Sequence, residues 1–195
     1  MLPFPWLANP NPVTAARNLL GQELRTTING ETTAVLISET EAYFAPEDRA
    51  SHAYGNKRTP RTEVFYRAPG TAYVYLCYGI HEMMNVVTGP VGTPHAVLIR
   101  AGTPLMGVDV MRRRRGIAST NSRKPISVGP GVLTQALGID RRFNGFDLLG
   151  GDGTIQLLPG PGVLPEEVVT GPRVGIGYAG EPWVSKPWRF QWRAD

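Results

Sequence analysis

The stretch 22-QELRTTINGETTAVLISETEAY-43 decides how this chain is read. Asn29-Gly30 separates two runs rich in Thr, Val and Ile, and Asn-Gly is the strongest short hairpin signal because both residues accept positive φ. The flanking runs therefore read as antiparallel strands. On the second strand side chains alternate between faces, so Glu39, Glu41 and Tyr43 share one. Acidic residues are poor strand formers and are seldom buried without partners. The two glutamates are thus either a solvated strand end or part of a site, and the surrounding sequence must decide.

Upstream, 9-NPNPVTAARNLLG-21 carries helix punctuation. Asn11 can cap, Pro12 suits the first helical position, and Gly21 can close the last turn in the left-handed region. Val13, Ala16, Leu19 and Leu20 make its apolar stripe. Downstream, TAYVYLCYGI and HAVLIRAGTPL read as strands, MGVDVMRRRR (106–115) as a helix and GPGVLTQALGI as a short helix opening at Gly129-Pro130. Phe44 to Gly70 is too long and polar for an ordinary connection, which predicts a functional loop. STNSRKPIS (119–127) reads as a mobile surface loop, and Asn144 to Pro165 as hairpins around TIQLL. Turns and strands should dominate, which favours a single β-rich or α+β domain over 1–195.

Composition narrows the class. With 195 residues and 42% hydrophobic content, the chain can bury one sizeable core. Of its 20 basic residues only Lys57, Lys124 and Lys186 are lysines, leaving 17 arginines and a net charge of +4. Arginine's planar fork suits phosphate oxygens and base edges, so the excess reads as a polyanion-binding surface or as a solvated basic face. Cys77 stands alone, which excludes an intramolecular disulfide and a cysteine zinc site. The N-terminus has no basic segment followed by an apolar one, and no apolar run approaches a membrane span. A cytoplasmic protein is expected, associated with the nucleoid if bacterial.

Two motifs look informative and are not. HEMMN (81–85) misses the zinc-protease pattern because Asn85 stands where the second imidazole belongs, and His52 and His95 have no ligand spacing. GIGYAG (175–180) matches a dinucleotide fingerprint, but no helix follows it, so its glycines read as serving tight turns or a close backbone approach. No metal and no organic cofactor is expected. The stretch 73-YVYLCYGIHEMMN-85 is more telling, because Tyr73 and Tyr75 share a face and Tyr78 directly precedes Gly79. These phenols either fill a core or form a stacking platform.

A carboxylate beside an arginine that holds a water suffices to hydrolyse a bond whose transition state is an oxocarbenium ion. Aromatic faces can grip a flat, electron-poor leaving group. ETEAY, PEDRASHAYG, KRTPR, PGTAYVYLCYGIHEMMNVV, AVLIRAGTPL, GPGVLTQALGI and RVGIGYAGE, in that order, resemble the 3-methyladenine (alkyladenine) DNA glycosylase family in register from Val13 to Phe190.

The resemblance implies Glu41 as general base, with Arg100 and the backbone carbonyl near Val174 helping to hold the nucleophilic water. It implies a pocket in which Tyr43 and His52 stack on one side of a flipped base and Tyr75 on the other, with Tyr73 as support. Tyr78 matches the wedge that fills the gap in the duplex, and Asn85 the residue that crowds guanine's exocyclic amine. The implied partner is double-stranded DNA containing damaged purines, bound by a monomer, with water rather than a lysine as nucleophile. The expected fold with it is a single α+β domain, 1–195, with a curved, mainly antiparallel, open barrel-like sheet flanked by short helices, and the implied reaction is monofunctional base excision on alkylated purines, with deaminated and etheno purines left open as further substrates. Three positions depart from the family pattern: Val132 replaces a basic residue after GPG, Glu63 replaces another, and Phe65 replaces a methionine. Arg112 to Arg115 and Arg123 are compensating phosphate contacts or merely a solvated face. Two rival readings are a module that binds distorted nucleic acid without cutting it, and a small-molecule N-glycosidase using Glu39 and Glu41 as a pair.

Overall fold

A computed structural model describes residues 4–118 and 122–193. Residues 119–121, where the predicted mobile loop begins, lie outside the described residues. In chain order the elements are α1 (Pro12–Asn18), β1 (Glu23–Ile28), β2 (Glu31–Phe44), β3 (Ala72–Cys77), β4 (His81–Thr88), β5 (His95–Met106), α2 (Val108–Arg114), α3 (Pro130–Leu137), β6 (Ile155–Leu158), β7 (Val168–Gly171) and β8 (Arg189–Trp192). The strands form one antiparallel sheet, in the order β3-β4-β5-β2-β1-β6, with β8 on β2 and β7 on β8. The sheet is not closed, and the fold class is α+β as the sequence predicts.

β2 is the spine. Its first half pairs with β1 through the Asn29-Gly30 turn, both residues at positive φ (53° and 77°) as the hairpin signal requires. Past Leu36 that edge is released and taken by β8 at Glu39–Glu41, while β5 follows the other edge from Ala34 to Phe44. Three irregularities interrupt the β2–β5 register. One leaves Arg100 unopposed between the pairs Glu39–Ala101 and Thr40–Ile99, a bulge that bends β5 and re-aims a side chain.

The two faces of the sheet bury different things. One carries the main core, where Ala42, Val74, Met84, Val86, Val97 and Ile99 pack with Ala16, Leu19 and Leu20 from α1 and its end, and with Leu133 and Leu137 from α3. Asn11 caps α1 by accepting from the Val13 N–H at 3.0 Å, Gly21 takes φ 73°, and Thr40 Oγ1 donates to the Ala16 carbonyl at 2.8 Å. Each fully buried leucine contributes about 1.5–3 kcal/mol, so this short helix is held by its apolar face rather than by propensity. The opposite face carries a smaller cluster, Ala45, Ala53, Val64, Phe65, Tyr73, Val87 and Ala96, beneath the predicted functional loop.

Two expectations change. The 144–165 segment forms no local hairpin: its strand, β6, pairs with β1 across the fold. A Cβ on Gly160 would collide with the Gly21 carbonyl and one on Gly21 with the Gly162 backbone, so Gly21 and Gly160 serve a close chain crossing. β4, β7 and β8 were not among the predicted strands. HEMMNVV hides its alternation because both faces are covered, and the other two are four residues long.

A buried ion pair fastens the C-terminal segment to this frame. Arg173 and Asp48 are fully buried and bidentate, with Nη2 2.9 Å from Oδ1. Asp48 also accepts the N–H groups of Phe44 and Ala50, and Arg173 donates to the carbonyls of Ala42 and Trp183. Removing one partner of such a pair strands the other in low dielectric. Arg173→Met is therefore expected to lower unfolding free energy by about 3–5 kcal/mol in urea titration; a loss below about 1 kcal/mol, the scale of an exposed pair, would contradict this account.

Candidate active site

The smaller-core face is organised by a row of cross-strand partners running over five strands: Tyr73 (β3), Asn85 (β4), Leu98 (β5), Glu41 (β2) and Arg189 (β8). Directly paired residues project to the same side. The strand alternation that puts Thr40 and Ala42 into the main core therefore puts Glu39, Glu41 and Tyr43 on this side. Glu41 is 0% exposed. Its Oε1 accepts the Val174 N–H at 2.7 Å and lies 3.4 Å from Arg100 Nε, and its Oε2 accepts the Tyr43 hydroxyl at 2.9 Å. A carboxylate offers about four lone-pair directions, so the two hydrogen bonds from Val174 and Tyr43 leave room for more, with the Arg100 guanidinium close by.

Burial pushes the Glu41 pKa above its ordinary 4.5, against the lowering pull of Arg100, the Val174 amide, Tyr43 and Arg173. Desolvation outweighs the donors. The arrangement suits a proton acceptor that ionises under mild conditions and holds a proton more firmly than an exposed glutamate. Near Val174, the group that meets Glu41 is the backbone N–H.

Beside the carboxylate lies a cavity of about 40 Å³ lined by residues that include Tyr43, His52, Phe65, Tyr73, Tyr75, Asn85 and Tyr178. It shares Tyr43, His52, Tyr75 and Tyr178 with a broader cleft of about 600 Å³, to which Arg100, Val174 and Tyr78 also contribute. Glu41 sits just behind this wall, touched by three of its members. Tyr73 is core: its ring packs on Phe65 at 4.3 Å and its hydroxyl lies 3.0 Å from His52 Nδ1. Burial, with help from Arg61, lowers the His52 pKa to about 4, so the ring is neutral at physiological pH. His52 meets Tyr75 edge-on at 4.7 Å, so no parallel slot lies between those two rings. Asn85 donates to the Tyr73 carbonyl at 3.3 Å and is buried at the cavity wall.

Tyr78 stands apart at the tip of the β3–β4 hairpin. It is 90% exposed and holds φ 50°, next to Gly79 at 74°. A bulky residue in the left-handed region is strained, and such strain concentrates at functional sites.

Other residues near the site were not singled out from sequence. Arg173 lies 4.7 Å from the Tyr43 ring centroid, Arg61 5.3 Å from that of Tyr75, and Tyr178 lines both cavity and cleft while its hydroxyl donates to the Ala50 carbonyl at 3.1 Å. Tyr178 sits inside GIGYAG, whose glycines drew attention to the wrong chemistry.

Of the departures, Phe65 lines the cavity, Glu63 pairs with Arg58 at 2.6 Å, and Val132 lies on α3. The α2 arginines are largely engaged within the fold: Arg113 pairs with Glu31, Arg114 donates to Thr33 and to the Ala136 carbonyl, and Arg115 donates to Gln135. Among the described residues no three His, Cys, Asp or Glu side chains group as a metal site, and no helix is long and apolar enough to cross a membrane.

The chain matches the family described as Methylpurine-DNA glycosylase (MPG) over residues 6–195. Among curated proteins, one from Natranaerobius thermophilus is 44% identical over 178 residues, covering 91% of this chain and 88% of its own length. One from Anaeromyxobacter dehalogenans is 49% identical over 183 residues (93% and 79%), and one from Bacillus cereus strain G9842 is 42% identical over 183 residues (91% and 89%). All three carry the name "Putative 3-methyladenine DNA glycosylase". The chain belongs to the methylpurine-DNA glycosylase family of DNA repair, hydrolases that act on N-glycosidic bonds.

Proposed function

We propose that this protein, as a monomer, rotates a damaged purine out of double-stranded DNA and hydrolyses its N-glycosidic bond with a water deprotonated by Glu41. The products are a free base and an abasic site. The observation that carries this reading is the enclosure of Glu41 by Val174, Tyr43 and Arg100, three residues that also wall the cleft. A base inside a duplex shields the far side of its sugar, and extruding it costs a few kcal/mol. Tyr78, strained and projecting, fills the vacated stack and offsets part of that cost.

The extruded purine enters beside Tyr43, His52 and Tyr75, with the His52 and Tyr75 rings parting to admit it. Asn85, fixed at the cavity wall, excludes a guanine amine. Alkylation at N3 or N7 makes the purine cationic, which improves it both as a leaving group and as a partner for π faces. Neutral deaminated and etheno purines would enter by the same parting of rings, without the help that a cationic leaving group supplies. Glu41 takes the proton of a water held with Arg100, and its charge faces the oxocarbenium ion as it develops. Among the described residues no lysine lines cavity or cleft, which favours water over an amine as nucleophile.

Glu41→Gln is expected to keep lesion-DNA affinity within about threefold and to lose purine release by at least about 10²-fold in single-turnover assays on duplexes carrying 3-methyladenine, the lower end of general-base contributions. Unimpaired release would end this reading. Misfolding does not account for the loss on this view. A carboxyl whose folded pKa is raised contributes stability that is full below its unfolded pKa and lost as pH rises through the folded one. The glutamine variant should therefore melt no lower than wild type at neutral pH.

The same shift sets the acid side of the pH–rate profile. Release should fall with decreasing pH through an apparent pKa above 4.5, and His52, neutral down to about 4, should add no second step nearer neutrality. Tyr78→Ala should weaken lesion-duplex binding by about 5- to 150-fold, the scale of one lost base–aromatic stack of about 1–3 kcal/mol. A lesion in single-stranded DNA, with no gap to fill, should be bound by this variant as by wild type.

A further inference from the structure

Glu39 is buried next to the proposed base, and the reaction as derived gives it no task. Its Oε1 accepts Arg100 Nε at 3.0 Å and Arg189 Nη1 at 3.2 Å. The same Arg100 Nε stands 3.4 Å from Glu41 Oε1. One N–H cannot serve two carboxylates equally, and the distances give it to Glu39. Among the described residues the two terminal nitrogens of Arg100 have no protein partner, and Arg100 lines the cleft. The bulge that leaves Arg100 unopposed on β5 puts its side chain against both acids.

We infer that Glu39 is a positioning residue for hydrolysis: by taking the Nε–H of Arg100, with Arg189 behind it, Glu39 keeps that guanidinium from closing on Glu41 and leaves its terminal nitrogens to the cleft. The inference rests on the reading of Glu41 as general base. A guanidinium paired fully with Glu41 would occupy its last lone pairs and hold it as a weaker base. Glu39 competes for the donor and adds a like charge near by. Both effects keep Glu41 basic. The groups facing Glu41 are Tyr43 and Glu39 on its own strand, Arg100 from β5, Arg173 ahead of Val174, and Arg189 from β8 through Glu39.

The test is the pH dependence of single-turnover release from 3-methyladenine duplexes by wild type, Glu39→Gln and Arg189→Gln, with circular-dichroism melting as the control for folding. Glu39→Gln frees Arg100 for Glu41, so the acid limb should move down by about 0.5–1 pH unit and the plateau rate should fall roughly tenfold. Lesion-DNA affinity should hold. Arg189→Gln leaves Glu39 to draw Arg100 alone, so its limb should move up. Limbs that stay in place in folded variants, whatever the rates, would leave Glu39 and Arg189 a packing role and overturn the inference. Should Glu39→Gln fail to fold, the direction of the Arg189→Gln limb decides alike. Full release by Glu41→Gln would sink the reading of the base itself, whereas a dead Glu41→Gln with unmoved limbs sinks only the role of Glu39.

Discussion

An ionisable carboxyl with no exposed surface is the constraint around which this site is built. Glu41 sits on a sheet face where desolvation alone would keep it protonated and useless as an anion. Four stretches of chain bring it partial compensation. β2 contributes the Tyr43 hydroxyl, β5 contributes Arg100 through a bulge, the segment after β7 contributes the Val174 amide, and β8 seals the edge of β2 beside it. The compensation is incomplete, which suits the proposed role of Glu41: a fully satisfied carboxylate would be a poor base, and a bare one would not ionise.

The amide of Val174 follows directly on Arg173, which is locked to Asp48. That pair joins the C-terminal segment to the turn that follows β2, and the same guanidinium lies against the ring of Tyr43. A buried ion pair of this kind is weak evidence for stability gained over an apolar substitute, because its desolvation is costly. Its value here is geometric, since one side chain fixes both a donor to Glu41 and the ring beside the cavity.

How much of this was legible in the sequence follows from which interactions are local. The Asn29-Gly30 turn, the α1 punctuation and the shared face of Glu39, Glu41 and Tyr43 depend on neighbours within a few residues, and they were readable. The order of residues in YVYLCYG left open whether its phenols fill a core or form a platform, and only the resemblance separated Tyr73, which is buried, from Tyr78, which is exposed. Arg100 as a partner of Glu41 needs the β2–β5 register and its bulge, which no local pattern encodes. Arg173, Asp48 and Tyr178 were missed because their importance lies in contacts more than 100 residues apart in sequence. β4 was lost for another reason: with both faces covered, its apolar run shows no alternation.

The central claim is that Glu41 ionises within the working range of the enzyme and that this ionisation switches catalysis on. Isotope-edited infrared difference spectroscopy, following the carboxyl stretch of Glu41 in a complex with a duplex carrying a non-hydrolysable abasic-site or purine analogue, reads that ionisation directly. The account predicts that the protonated band disappears with a midpoint above that of an exposed glutamate and coincident with the acid limb of single-turnover release. A Glu41 that remains protonated through neutral pH, or one that titrates apart from that limb, would contradict it.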